Sequence, residues 1–142
     1  DPGAIAIEKI RQLITYIPSE DRLYTGSVRQ NVYMNTDMEK EEDYLAVCDA
    51  SEIREFSEYN VNELSGGQAK RINIARAMIN KVPLLLADEP DAGLPIHQGR
   101  YILENLLNSS GAAIIVTHHH EFLPLFDRVI RLEYGEVYET IL

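Results

Sequence analysis

This 142-residue sequence is short of cysteine, of basic relative to acidic residues, and of long apolar runs. A single cysteine, Cys48, allows no disulfide within the chain and no thiolate metal cluster, which fits a reducing compartment. Thirteen lysines and arginines stand against twenty-three acids, a formal charge of -10. With no dense basic run, the chain offers little to DNA, RNA or anionic lipid. No window approaches the roughly eighteen consecutive apolar residues of a membrane span, and no charged-then-apolar leader opens the sequence. Direct membrane insertion is not expected, so any membrane role comes through a partner. Internal repeats and low-complexity linkers are also missing, and 45% apolar with 25% charged residues is a globular balance for one domain. The first residue is Asp1 rather than Met, which suggests a fragment whose upstream segment is absent. The acids concentrated between Asp37 and Glu58 read as a solvated helical face, with a partner-docking face as the alternative.

Among the residues present, apolar spacing sorts the chain into elements. Ile5 and Ile7, then Leu13 to Ile17, read as two short strands around the polar stretch Glu8 to Gln12, closed by Pro18. Ser27 is a good N-cap for Val28 to Met34, and Asp37 caps a segment whose Tyr44, Leu45, Val47 and Cys48 face inward. Ser51 starts a third short helix before Phe56. Ile72, Ala75 and Ile79, with Ile74 and Met78, recur at helical spacing and predict a helix over Gln68 to Asn80. Leu84 to Ala87 and Ala112 to Val116 are continuous apolar runs, the pattern of strands covered on both faces, with a helix from Ile96 to Leu107 between them. Strand, helix, strand predicts a parallel crossover. Val129 to Leu132 and Glu136 to Tyr138 flank Tyr134-Gly135 as a terminal hairpin.

Three sets of residues carry candidate chemistry. Ser65, Gly66 and Gly67 strip side chains from a helix start, so backbone N–H groups and the positive end of the helix dipole can approach a phosphate. Asp88 and Glu89 end an apolar strand, on the rim where open α/β sheets bind ligands. There Asp88 can hold Mg²⁺ through its oxygens or bound water, and Glu89 can polarise an attacking water. His118 follows Ile114 to Thr117 at a second strand end and can present a hydrogen bond to a phosphate oxygen. Its neighbours His119 and His120 point in other directions, so a native metal site is not expected, and His97 reads as structural or exposed. No stretch reads G-x-x-x-x-G-K-[ST], the loop that cradles the remaining phosphates.

Five stretches in order resemble the ABC ATPase family, over about Ile5 to Val137. They are Tyr16-Ile17-Pro18 with Tyr24 to Asn31, then Leu64-Ser65-Gly66-Gly67-Gln68, Arg71 to Ala77, Leu84 to Pro90, and Thr117-His118. The resemblance implies an α/β, P-loop NTPase-like parallel sheet core from residues 1–26 and 81–142, incomplete because the first strands and phosphate loop would lie upstream of Asp1. An inserted α-helical signature subdomain would occupy residues 27–80. It implies ATP and Mg²⁺ as cofactors, with Asp88 supporting the metal, Glu89 as catalytic carboxylate and His118 as the switch histidine. Ser65, Gly66, Gly67 and Gln68 would contact the nucleotide of a facing ABC ATPase domain, in a homo- or heterodimer that sandwiches ATP. Leu23 to Val32 looks like the stretch of exporter-type domains that meets a transmembrane partner, which would place the domain at the cytoplasmic face of a membrane.

The sequence departs from that pattern in three places. Ser19 stands where the Q-loop glutamine of the nucleotide site is usual, and its short side chain cannot reach as far. Pro95 ends the D-loop in place of aspartate and has neither a carboxylate nor a backbone N–H. Phe56 to Glu63 lacks the usual exporter pattern. Without the phosphate loop's donors and lysine, the isolated chain is expected not to hydrolyse ATP, since even one transition-state donor is worth about 3 kcal/mol. The strand Ala112 to Val116 would then present an unpaired apolar edge. The leading expectation is part of an ATPase subunit that couples ATP binding and hydrolysis to membrane transport. The alternative is a degenerate, non-hydrolysing interaction module that pairs with a complete ABC ATPase. The ATPase head of a DNA-repair or chromosome-structure protein is disfavoured, because coiled-coil heptads are missing and the surface is acidic.

Overall fold

The computed structural model describes residues 7–34, 36 and 40–141. Its core is a parallel sheet of three strands, β1 (Ile14–Ile17), β2 (Leu84–Asp88) and β3 (Ala112–Val116), with β2 in the centre. Ile14 pairs with Leu84, and Leu84 with Ala112, so the carboxyl ends of all three strands share one rim. Helix α1 (Ile7–Leu13) runs directly into β1. This corrects the expectation of a strand at Ile7: Ile7, Ile10 and Leu13 are three residues apart, a helical period mistaken for two short runs. Ile5 lies outside the described residues.

Between β1 and β2 come α2 (Val28–Val32), α3 (Glu41–Ala50), short 3₁₀ turns at Arg54–Phe56 and Val61–Glu63, and α4 (Gly66–Ile79). Ser27 caps α2 reciprocally with Gln30. Its hydroxyl accepts from Gln30 N–H at 3.1 Å, and its own N–H donates to Gln30 Oε1 at 2.9 Å. Gly26 before it has φ +136, and a Cβ there would stand 2.4 Å from Gln30 Oε1, so the turn needs glycine. In α3, Tyr44, Val47 and Cys48 are buried as expected, and the Tyr44 hydroxyl donates to the Ser57 carbonyl at 2.7 Å. The expected cap at Asp37 lies outside the described residues; α3 begins at Glu41 after Lys40. Ser51 ends α3 rather than opening a new helix, because its buried hydroxyl turns back to the Val47 carbonyl at 2.6 Å.

Helix α4 is buried on nearly every side, with Ile72, Ile74, Ala75 and Met78 in the core. It also carries a buried polar stripe at three-residue spacing. Lys70 Nζ donates to the Ser19 carbonyl at 2.7 Å, and Asn73 Nδ2 donates to Asp21 Oδ1 at 3.1 Å. Arg76 Nε donates to the Asn31 carbonyl at 2.7 Å, while its other nitrogens reach Asn31 Oδ1 and the Arg22 carbonyl. Asn31 completes the lattice: its amide donates to the Tyr24 and Ser27 carbonyls, and its oxygen accepts from Tyr24 N–H at 2.8 Å. Burial pushes the Arg76 guanidinium down from its ordinary value, so these partners are what keep a charge there tolerable.

Helix α5 (Ile96–Asn108) joins β2 to β3 and buries Ile102, Leu103 and Leu106. Pro95 opens it with φ -56, and its carbonyl accepts from Gly99 N–H at 2.8 Å. Ile17, Leu85 and Ala87 face the packed side of the sheet. The other face is open, with Ile114 62% and Val116 52% exposed. This corrects the expectation that β3 is covered on both faces within the chain: the helices present pack one side only. The strands β4 (Arg128–Glu133) and β5 (Glu136–Ile141) form the expected hairpin, longer than the sequence indicated. Tyr134 and Gly135 both have positive φ, as a tight primed turn requires. Among the described residues, no helix is long and apolar enough to cross a membrane.

Two outcomes follow from this packing. Asn31→Ala removes the side-chain oxygen that accepts from Tyr24 N–H and Arg76 Nη2, and is expected to cost about 3 kcal/mol in urea denaturation, against under about 0.5 kcal/mol for an exposed control such as Glu104→Gln. Burial pushes the Cys48 thiol up from 9.0 to about 11. Because the raised value belongs to the folded state, the stability it contributes is intact below pH 9 and is lost as pH rises toward about 11. Stability measured across that window should fall, and iodoacetamide should label Cys48 only after unfolding.

Candidate functional site

The carboxyl rim of the sheet gathers three of the sequence-predicted residues. Asp88 is the last residue of β2, paired in register with Val116 of β3. Strand alternation places it with Leu84 and Leu86, on the face opposite the buried Leu85 and Ala87. Glu89 then leaves the strand with φ +48, a left-handed conformation that costs a non-glycine residue about 1 kcal/mol. Its N–H still donates to the Val116 carbonyl at 2.9 Å, so the strained residue stays anchored to the sheet. The Glu89 carboxylate meets His118 at 2.6 Å between Oε1 and Nε2. His118 is 81% exposed, so its ring hangs over the rim and is held chiefly by this pair.

Behind that pair lies a residue the sequence analysis did not single out. Asp91 is 2% exposed, and its Oδ2 accepts from the Thr117 hydroxyl at 2.7 Å. His119 Nε2 lies 3.8 Å from the same oxygen, while Oδ1 is buried with no hydrogen-bond partner. The signal available in the sequence was an acid inside a loop already marked by Asp88 and Glu89, and the burial that distinguishes it is a tertiary fact. The neighbouring histidines face different carboxylates, His118 toward Glu89 and His119 toward Asp91. Among the described residues, no three histidine, cysteine or acidic side chains converge on one point.

The glycine turn is a separate surface. Gly66 and Gly67 begin α4, and Gln68 Oε1 accepts from Ser65 N–H at 2.8 Å, which fixes the turn from within. A Cβ on Gly66 or Gly67 would meet nothing within 4 Å, and neither residue has a positive φ. Neither packing inside this chain nor backbone conformation requires glycine at these positions. Among the described residues, no hydrogen bond joins this turn to Asp88, Glu89 or His118. Ser19 is engaged through its carbonyl by Lys70 and not through its hydroxyl. The Lys70, Asn73 and Arg76 stripe was legible only as spacing, and its connection to residues 19–31 required the fold.

As chemistry, the rim offers hard carboxylate oxygens. Mg²⁺ suits such a site because it takes one or two protein carboxylates and completes its shell with water and phosphate oxygens. The bare helix start offers N–H donors and the positive dipole end of a 14-residue helix. The two surfaces fit a metal–polyphosphate ligand in complementary ways.

A family model described as ABC transporter matches residues 2–92. The chain is 28% identical over 144 residues to a lactococcin transport/processing ATP-binding protein, LcnC-like, of Lactococcus lactis, covering 93% of the chain and 20% of that protein. It is 32% identical over 148 residues to the ABC-type transmembrane transporter verA of Clonostachys rogersoniana, covering 94% of the chain and 12% of that protein. Human ATP-binding cassette sub-family C member 2 is 28% identical over 147 residues, covering 92% of the chain and 9% of that protein. The chain thus spans a fifth or less of the length of these relatives. In fold it matches a bacterial Atm1-family ABC exporter with ATP bound, at a TM-score of 0.78 and 21% identity over 90% of the chain and 25% of that structure. With the family model covering more than half its residues, and the strand-tip acids and glycine turn in the family's order, the chain belongs to the ABC transporter family.

Proposed function

We propose that this chain is part of an ATP-binding cassette ATPase subunit, exporter-like, that couples ATP binding and hydrolysis to transport across a membrane. The observation that carries the reading is the open turn at Ser65 to Gly67: glycines that nothing in the chain requires, at the start of a long helix, fit a ligand brought by another subunit. The relatives are transport proteins by name, which supports the same reading. In this scheme residues 27–80 form a helical signature subdomain on a core of residues 1–26 and 81–142. The facing partner is a second ABC ATPase domain. Leu23 to Val32 docks a transmembrane partner, supported by its firm seating on α4 through Asn31 and Arg76, and the domain lies at the cytoplasmic face of the membrane.

The residues divide the work by position. Asp88 holds the metal side of the rim. Glu89 keeps one oxygen on His118 and leaves the other for water, the arrangement of a carboxylate that orients a nucleophile. Mg²⁺ and ATP, when bound, supply the electrophilic phosphoryl group and the charge neutralisation that this rim lacks. His118 donates toward a phosphate oxygen once it leaves Glu89. Ser65, Gly66, Gly67 and Gln68 offer their helix start to the nucleotide of the facing subunit. The alternative, a non-hydrolysing module paired with a complete ATPase, has one observation in its favour: Lys70 ties down Ser19, where a glutamine is usual, and so restrains that loop.

Gly67→Asp separates folding from nucleotide binding. An acid in the first turn of α4 favours the helix dipole and meets open space, so thermal stability should be unchanged or slightly raised. The same charge repels a polyphosphate, and ATP-dependent association of the subunits should weaken at least about tenfold, or 1.4 kcal/mol. Association measured by static light scattering or sedimentation, with and without ATP, checks this; unaltered ATP-dependent association in the Gly67→Asp protein would overturn the reading. ATP turnover of the assembled wild-type pair distinguishes the hydrolysing from the non-hydrolysing form.

A further inference from the structure

We propose that Asp91 is a positioning residue for His118, acting through Thr117 rather than on any ligand. The inference rests on the role proposed above for His118 and deepens it. Thr117 and His119 flank His118, and one hydroxyl fixes both: Thr117 Oγ1 donates to Asp91 Oδ2 at 2.7 Å and accepts from His119 N–H at 3.1 Å. The backbone on either side of His118 is therefore tied to one hydroxyl, which a buried carboxyl group holds in place. That group also belongs to the loop that carries Glu89. Ala92 N–H donates to the Glu89 carbonyl at 3.1 Å, and Leu94 N–H to the Asp91 carbonyl at 3.2 Å, so the turn from 89 to 94 is closed on itself.

Two parallel ties thus join the strand-tip loops. The outer one is Glu89 with His118, at the surface; the inner one is Asp91 with Thr117, buried. The inner tie is the more durable because water competes poorly for it. Its placement is held by packing on the far side. A Cβ on Gly99 would lie 3.8 Å from Asp91 Cβ and 3.2 Å from the Phe122 ring, whose centroid is 5.4 Å from that of His119. At 2% exposure Asp91 is enclosed by its neighbours, and the loop bearing His118 inherits that constraint while the exposed ring stays free to exchange partners. A charged or polar oxygen buried without a second partner, as Asp91 Oδ1 is, costs stability. Thr117 cannot offset it alone, so the group is better explained by what it positions than by what it stabilises.

The test is nuclear magnetic resonance of the imidazole groups in the chain, with Glu89→Gln defining the His118 signals of an unpaired ring. Asp91→Ala and Thr117→Val are expected to shift the His118 ring resonances at least halfway to the Glu89→Gln positions. Asp91→Asn keeps an oxygen that can accept from Thr117 and is expected to stay near wild type. Native-like backbone amide spectra establish that each variant is folded. If Asp91→Ala does not fold, Thr117→Val, which loses one hydroxyl at constant shape, decides alone. His118 resonances unmoved in a folded Thr117→Val overturn the proposal. This readout needs no nucleotide: failure of the Gly67→Asp prediction with the His118 shifts intact sinks the nucleotide reading and leaves the positioning role standing, and the converse pattern does the opposite.

Discussion

A half-buried guanidinium and a buried ammonium on one helix set the terms for the rest of this structure. Lys70 and Arg76 lie on the same side of α4 as Asn73, where desolvation would make unpaired charge expensive. Apart from Asn73 Oδ1 on α4 itself, the hydrogen-bond partners described for these groups come from residues 19–31: carbonyls of Ser19, Arg22 and Asn31, the Asp21 carboxylate and the Asn31 amide. These hydrogen bonds tie the segment after β1 to α4, the helix that the glycine turn begins. This links the two surfaces proposed above to meet partners, the Leu23 to Val32 segment and the Ser65 to Gln68 turn, through side-chain hydrogen bonds.

The catalytic half of the proposal depends on a different constraint, the shared register of parallel strands. Because β2 and β3 run side by side to the same rim, residues 26 to 29 positions apart in the chain, Glu89 and Asp91 on one loop and Thr117 to His119 on the next, become neighbours. The sheet supplies rigidity, the left-handed turn at Glu89 aims the carboxylate, and exposure leaves the His118 ring free to choose partners. The glycine turn does not meet this rim within one chain. The proposal above has a second subunit complete the site, which would give both surfaces a ligand.

Much of the architecture was legible because local and tertiary demands agreed. The spacing of Ile72, Ala75 and Ile79 marked α4, the run Leu84 to Ala87 marked the central strand, and Tyr134-Gly135 marked the hairpin turn. Misreadings fell where short-range signals were ambiguous. Ile7 and Leu13 fit either two short strands or one helix at three-residue spacing, and the helix won. Ser51 is as good a helix start as a helix end until one knows that the Val47 carbonyl is within reach of its hydroxyl. An all-apolar run such as Ala112 to Val116 records what a strand can bury, not what this chain alone covers, and Ile114 and Val116 remain exposed.

By itself the sequence determined the inventory: a helix start stripped of side chains, two acids and a histidine each following an apolar run, a charge unsuited to nucleic acid, and the order of motifs that marks the family. Residue type and spacing settle these, since they depend on backbone period and side-chain chemistry within a few positions. Only the tertiary structure decided that Glu89 pairs with His118, that Asp91 is buried against Thr117, that Lys70 reaches back to Ser19, and that Gly66 and Gly67 face open space. Each joins or separates residues distant in the chain, and such distances are fixed by strand register and helix packing, which no local pattern encodes.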